Sequence, residues 1–382
     1  MESTPNQSTI LHVFSTFAVG GPQVRFATIA NRLGRRYRHV IIAVDNRHDA
    51  ASLLGPDVDF VLRSFDFDKR RTLANLGHYR RAILASHAQR LITYNWGATE
   101  WALANLWGGI PHVHIEDGFG PEETKRQLPR RVWFRRLALA RARPVVMPSR
   151  SLYRIATDVW RIPTRRLAYI PNGVDCQRYA RPADPLLCSS LGLGDGTPVI
   201  GTVAALRPEK NLGRLIRAFA RVVARQPARL LIVGTGAERD ALGQLAKDLN
   251  VAATVVFVGH LEKVERLLGA FGIYAISSDT EQMPISLIEA MAAGLPVAAV
   301  DVGDIAIMLA EPNRPYVTAV DDGALAAAIA GLLADAALRQ RIGSANAEKA
   351  RAEYDEAAMI AAYDALYAGR PLLTEKPPAN AP

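Results

Sequence analysis

Short apolar runs alternate with amphipathic stretches along almost the whole chain, and this rhythm limits the fold more than any other feature. Residues 10–17, 39–44, 58–62, 90–94, 111–115 and 144–147 read as strands. Residues 23–33, 73–86 and 99–106 carry helical spacing, as in Val24, Ala27, Ile29, Ala30 and Leu33. Apolar runs separated by helical segments mean parallel strands, because a parallel pair needs a crossover where an antiparallel pair needs only a turn. The rhythm breaks at 177–196, which reads as loop on Pro182, Pro185 and several glycines, and then restarts. Further strands are expected at 199–203, 229–233, 255–258, 272–276 and 296–300. Helices are expected at 212–225, 237–249, 264–270, 285–293, 322–333 and 338–354. The implied architecture is α/β, with two doubly wound domains at 1–180 and 181–355. A helix at 356–370 follows the completed second pattern, and a Pro/Ala-rich tail at 371–382 is expected to be disordered. Ligands of such folds bind at the carboxyl ends of strands, so two domains facing each other are expected to form a cleft.

The chain has 382 residues, 49% hydrophobic and 22% charged, which excludes a disordered chain and a coiled coil. Its net charge of +9 is uneven: residues 1–185 carry 28 basic and 15 acidic side chains, residues 186–382 carry 18 and 22. An anionic partner is therefore expected on the first half only. Cys176 and Cys188 fit neither a zinc site nor a disulfide framework and suit a reducing compartment. The first ten residues are polar, so no secretory signal is expected. The longest apolar run, 324–334, is too short to span a bilayer, so an integral membrane protein is not expected.

Three segments point to chemistry. Gly234-Thr235-Gly236 lacks the third glycine of a dinucleotide fingerprint, and no Gly-Lys-Ser/Thr is present, which argues against a dehydrogenase and a P-loop ATPase. Gly20-Gly21-Pro22 opens a helix and lets backbone approach a ligand. Glu281 lies just before a helix that Pro284 starts, and Glu289 lies within it. Eight helical residues rise about 12 Å, enough to reach both sugars of a nucleotide-diphosphate-sugar, with its diphosphate at the helix N-terminus between them.

These residues resemble those of GT-B fold glycosyltransferases of glycosyltransferase family 4, which are retaining enzymes. The most specific part is Glu281 and Glu289 continuing into Ala290-Met291-Ala292-Ala293-Gly294-Leu295-Pro296. Ile170-Pro171-Asn172-Gly173-Val174-Asp175, Leu206-Arg207-Pro208-Glu209-Lys210-Asn211, Gly20-Gly21 and the segment His114-Ile115-Glu116-Asp117 are similar to further family loops. The resemblance implies two Rossmann-like domains, with the last helix returning to the first. It implies that Glu289 holds the donor ribose and Glu281 the transferred sugar. Backbone at Met283, Ile285 and Ser286 would face the distal phosphate, and Lys210 would neutralise the leaving diphosphate. His114 would sit beside the donor sugar, and His260 and Leu261 would occupy the nucleobase loop, with Gly20, Gly21 and Gly234 also on the donor side. The family usually has an Arg where this chain has Ala205, and Arg207 is the expected substitute.

The function so implied is transfer of a hexose from a nucleotide-diphosphate-sugar to a lipid-linked or glycan acceptor in polysaccharide or glycolipid biosynthesis. Alternatives are a nucleotide-sugar epimerase, a sugar phosphorylase, or an inactive sugar-nucleotide-binding subunit. Fixed cations and amide dipoles can stabilise a leaving diphosphate. With no Asp-x-Asp at a plausible donor loop, neither a metal nor another cofactor is expected. Asn95, Trp96 and Asp117 are assigned to the acceptor side. Lys125, Arg126, Arg130, Arg131, Arg135, Arg136, Arg141 and Arg143 are interleaved with Trp133, Phe134, Leu137 and Leu139. Arg130, Arg131, Trp133, Arg135 and Arg136 are expected to face an anionic membrane. The expected location is cytoplasmic, peripheral on the inner face of the membrane. No nucleic-acid module is recognisable, and none is expected as partner.

Overall fold

The computed structural model describes residues 7–65, 72–107, 109–119, 123 and 126–372. Among these, residues up to Asn172 together with those from Ala358 onward form one compact unit, and Gly173–Ala357 form a second. The first division falls at Asn172 instead of residue 180. Val174 already bridges to Asp355, and the Gly173 backbone lies so close to Asp355 that a Cβ there would meet its carbonyl oxygen at 2.9 Å.

The first unit runs β1 (Ser8–Phe14), α1 (Gly21–Leu33), β2 (Tyr37–Ala43), β3 (Asp59–Arg63), α2 (Thr72–Ala85), β4 (Arg90–Tyr94), α3 (Thr99–Ala104), β5 (His112–Ile115), α4 (Pro129–Ala138), β6 (Val145–Met147), α5 (Arg150–Asp158) and β7 (Leu167–Tyr169). Its seven strands are parallel in the order β3-β2-β1-β4-β5-β6-β7. The central strands are buried on both faces, as Ile10, Leu11, Val13 and Phe14 of β1 are. This explains why they read as continuous apolar runs with no alternation.

The second unit adds α6 (Cys176–Tyr179), α7 (Pro185–Ser190), β8 (Val199–Val203), α8 (Leu212–Val223), β9 (Arg229–Val233), α9 (Arg239–Asp248), β10 (Val255–Gly259), α10 (Glu265–Leu268), β11 (Ile273–Ile276), α11 (Ile285–Ala292), β12 (Val297–Val300), α12 (Ile305–Met308), β13 (Val317–Thr318), α13 (Asp322–Ala334) and α14 (Ala336–Glu353). Its six parallel strands follow the order β10-β9-β8-β11-β12-β13. The segment read as loop at 177–196 holds two short helices, each started by an aspartate whose side chain accepts backbone N–H groups: Asp175 for α6 and Asp184 for α7. Strands β7 and β13, of three and two residues, were not expected.

The last helix, α15 (Glu356–Ala368), completes the first unit. Met359, Tyr363, Leu366 and Tyr367 repeat at the spacing of one helical face and are buried with Phe14, Phe26 and Tyr37. The Tyr37 hydroxyl donates to Asp364 Oδ1 at 2.7 Å. Among the described residues, no helix is long and apolar enough to cross a membrane.

Candidate functional site

In each sheet the first strand stands beside the fourth, and there the direction of winding reverses. The carboxyl ends of the strands at such a reversal are the ligand-binding position of a doubly wound sheet. In the second unit the strands are β8 and β11. The loop after β8 carries Arg207 and Lys210, and the loop after β11 carries Glu281 and runs into α11. The two loops are stitched together. Asp279 N–H donates to Glu209 O at 2.9 Å, and Ser277 Oγ donates to Lys210 O at 3.1 Å. The buried Arg214 donates to Ser277 O at 2.6 Å and pairs with Asp279 at 2.8 Å. Asn211 takes a left-handed conformation (φ 42°), caps α8 and donates to Asp279.

The outcome is that Lys210 Nζ lies 2.6 Å from Glu281 Oε1, which also accepts from Ser278 Oγ at 2.8 Å. Glu281 is held from behind by Gly303. That residue has φ +60°, and a Cβ on it would meet Glu281 O at 2.1 Å. The first turn of α11 leaves amide N–H groups without helical partners at Ile285 and Ser286, while the Met283 side chain is buried in the core. Farther along α11, Glu289 accepts a 2.8 Å hydrogen bond from the Tyr179 hydroxyl of α6. Burial raises the Glu289 carboxyl above its ordinary value, and the Tyr179 bond and the nearby Arg178 oppose the rise.

Other expected donor residues lie differently. Arg207 is mostly exposed and pairs with Glu209 at 3.5 Å. Gly234 (φ +137°) is required by the protein itself: a Cβ there would meet Ala204 O at 2.0 Å. His260 is exposed just after β10, and Leu261 is half-buried.

In the first unit the reversal lies between β1 and β4. The loops after them touch, since a Cβ on Gly97 would meet Ser15 Oγ at 2.3 Å. Gly20 and Gly21 lead into α1 here. Gly21 has open space where a side chain would stand, and Gly20 faces only the flexible end of Gln23, so no packing within the protein demands a glycine at either position. Asn95 (φ 57°) uses its side-chain oxygen to accept Asp117 N–H at 2.7 Å. Asp117 grips the buried Arg25 through two hydrogen bonds of 2.5 and 2.9 Å, and Arg25 also donates to Asn172 at 3.0 Å. Asp117 is thus engaged in tying α1, β5 and the end of the unit together.

His114 is fully buried. Its Nδ1 lies 2.8 Å from Thr93 Oγ1, which is shared with His112 at 2.8 Å, and its Nε2 lies 3.7 Å from Glu116. Burial lowers the pKa of His114 to about 3, with Arg135 adding to the drop, and that of His112 also to about 3. Burial raises Glu116 to about 8, although Arg135 opposes it.

Arg135 corrects the membrane-facing assignment. It is fully buried, bonded to Glu123 at 2.9 and 3.1 Å, and lies 4.8 Å from the ring centres of Trp96 and Trp160 and 5.4 Å from that of Phe119. Burial pushes Glu123 up, but the hydrogen bonds and charge of Arg135 outweigh it, and the carboxyl lies below its ordinary value. Arg131 is mostly covered and bonds Glu123 at 3.2 Å, and Arg136 donates to the carbonyls of Val159 and Trp160. Trp96 is half-buried under Arg131 and Arg135. Of the five, Arg130 and Trp133 are exposed and have no partner among the described residues, Trp133 at 65%. Lys125 lies outside the described residues. Sequence reasoning missed Tyr179 and Arg25, whose partners lie far along the chain, and Glu123, whose partners Arg131 and Arg135 follow within twelve residues.

The sequence profile described as "Glycosyl transferases group 1" matches residues 188–349, and that described as "Glycosyltransferase Family 4" matches residues 19–178. The chain belongs to the group 1 glycosyltransferases, with GT-B architecture. It is 27% identical over 207 residues to N-acetyl-alpha-D-glucosaminyl L-malate synthase of Bacillus anthracis, covering 54% of each chain. It is 29% identical over 258 residues to D-inositol 3-phosphate glycosyltransferase of Nocardia farcinica, covering 62% of this chain and 53% of that one. The chain thus spans about half the length of the curated relatives it matches. Anabaena Alr3699/HepE, solved in complex with UDP-glucose, superposes with a TM-score of 0.80 at 20% identity, over 94% of this chain and 99% of that one.

Proposed function

We propose that the protein is a retaining hexosyltransferase that moves a sugar from a nucleotide-diphosphate-sugar to a lipid-linked or glycan acceptor in polysaccharide or glycolipid biosynthesis. The observation that carries this reading is the meeting of Lys210 and Glu281 at the sheet reversal, beside the N-terminus of α11. One group is a cation suited to a diphosphate, and the other is a carboxylate suited to sugar hydroxyls.

The chemistry follows from where charge grows. As the bond to the anomeric carbon breaks, negative charge builds on the leaving diphosphate. Lys210 and the amides of Ile285 and Ser286 stabilise that charge without reorganisation. Glu281 orients the sugar and Glu289 the ribose. No second carboxyl is assigned at glycosidase-like spacing, so a same-face displacement, with the leaving oxygen taking the acceptor's proton, fits better than a covalent intermediate. Lys210 supplies the charge that a metal would otherwise supply, and the reaction is proposed to run without one. The exposed Arg130 and Trp133 fit an acceptor presented at an anionic cytoplasmic membrane surface.

The test is release of nucleoside diphosphate from UDP-, GDP- and ADP-sugars, with and without acceptor lipids. Release only with acceptor supports the transferase, whereas an epimerised donor or binding without turnover sinks it. Lys210→Ala is expected to lower kcat by about 10²–10³, the usual cost of one preorganised charge-stabilising donor. Activity lost in EDTA and restored by Mg²⁺ would overturn metal independence.

A further inference from the structure

We propose that Tyr179 is a positioning residue for the donor nucleoside, its hydroxyl fixing one oxygen of Glu289 so that the other is presented to the ribose hydroxyls. The inference rests on the donor reading above and adds a residue to it.

Glu289 projects from the second turn of α11, and its side chain has three rotatable bonds. Left alone, its carboxylate would sample several directions. The Tyr179 hydroxyl donates to Oε1 at 2.8 Å, and no described residue is bonded to Oε2. Tyr179 itself cannot wander. Its ring is 8% exposed and packs in one core cluster with Val174, Leu287 and Ile288. The helix that carries it is started by the Asp175 side chain, and Arg178 on the same turn is anchored to Glu265 at 2.8 Å. A carboxylate oriented by one rigid donor keeps acceptor capacity on its second oxygen. The ribose hydroxyls use that capacity, and a 2′-deoxyribose has one hydroxyl fewer to offer it. Phenylalanine would fill the same space and keep the packing, so the hydroxyl can be tested alone.

The experiment measures, by calorimetry, binding of UDP, GDP and ADP, each beside its 2′-deoxy form, to the native protein, Tyr179→Phe and Glu289→Gln. The ratio of two dissociation constants taken on one sample does not depend on the fraction folded. The native protein is expected to prefer one ribonucleotide over its deoxy form by about tenfold or more. Tyr179→Phe is expected to bring that ratio to within about threefold of one, and with donor sugar to raise KM while changing kcat little. The double variant is expected to match Glu289→Gln. Discrimination lost in Glu289→Gln but intact in Tyr179→Phe overturns the role of Tyr179 and leaves the donor reading standing. Native protein that binds none of the three nucleotides overturns both, whereas native protein that binds a nucleotide and its deoxy form alike overturns the role of Tyr179 and leaves the donor reading standing.

Discussion

Replacing Arg135 with alanine should unfold the first unit far more readily than replacing Arg130, although the two arginines lie on one helix. Arg135 is fully buried, and its guanidinium is bonded to Glu123 and enclosed by Trp96, Trp160 and Phe119. Removing one partner of a buried pair leaves the other charge without compensation and costs about 3–5 kcal/mol. For a unit of this size, each kcal/mol shifts the midpoint by about 2–4 °C, so a loss of roughly 6–20 °C is expected. Arg130→Ala on the exposed face should stay within about 0.5 kcal/mol. The double variant Arg135→Met with Glu123→Leu should recover much of the loss, because an apolar pair of similar volume replaces an ion pair that is costly to desolvate. The assay is thermal unfolding followed by tryptophan emission. All five tryptophans (96, 101, 107, 133 and 160) lie in the first unit, so the signal reports that unit alone. Equal unfolding midpoints for Arg135→Ala and Arg130→Ala would refute the buried placement.

Further outcomes can be checked with the same signal. His39 is buried against His12 at 2.9 Å, and burial lowers its pKa to about 4. Its neutral form therefore contributes stability that is complete above the unfolded value near 6.5 and lost as pH falls toward 4. His39→Phe should flatten the acid limb by up to about 1.4 kcal/mol per pH unit. Glu116 has the opposite sign. Raised to about 8, it keeps its proton in the native state while the unfolded chain loses its own from about pH 4.5. Glu116→Gln should therefore raise the unfolding midpoint more at pH 8 than at pH 5, and equal changes at both would refute the burial of an ionisable carboxyl there. Gly303→Ala places a Cβ against Glu281 O and requires φ +60° of an alanine. It should weaken sugar-nucleotide binding at least tenfold by thermal titration, and unchanged binding would show that the loop does not position Glu281.

The alternation of apolar runs with helical segments was enough for the architecture, because parallel strands buried on both faces and amphipathic crossovers leave local periodic signals. The positions of Lys210, Glu281 and Glu289 were likewise legible, each lying on a loop or helix that follows a strand. The partners of these residues were not. The approach of Lys210 to Glu281 depends on loops from two strands that are adjacent in the sheet but lie far apart in sequence. Tyr179 reaches Glu289 from a segment whose prolines and glycines read as linker.

The arginines show the same division most sharply. By itself the sequence determined that the first half carries the positive charge, since charge is a sum over residues and needs no coordinates. Which of those charges face outward was decided only by tertiary packing. Arg135 and Arg130 are five residues apart on α4, where a turn takes 3.6 residues, so they project in different directions. One is enclosed by Glu123 and three aromatic rings, while the other remains in solvent. The energy separating these fates lies in contacts with Trp96, Glu123 and Trp160, and no local pattern around Arg135 encodes them.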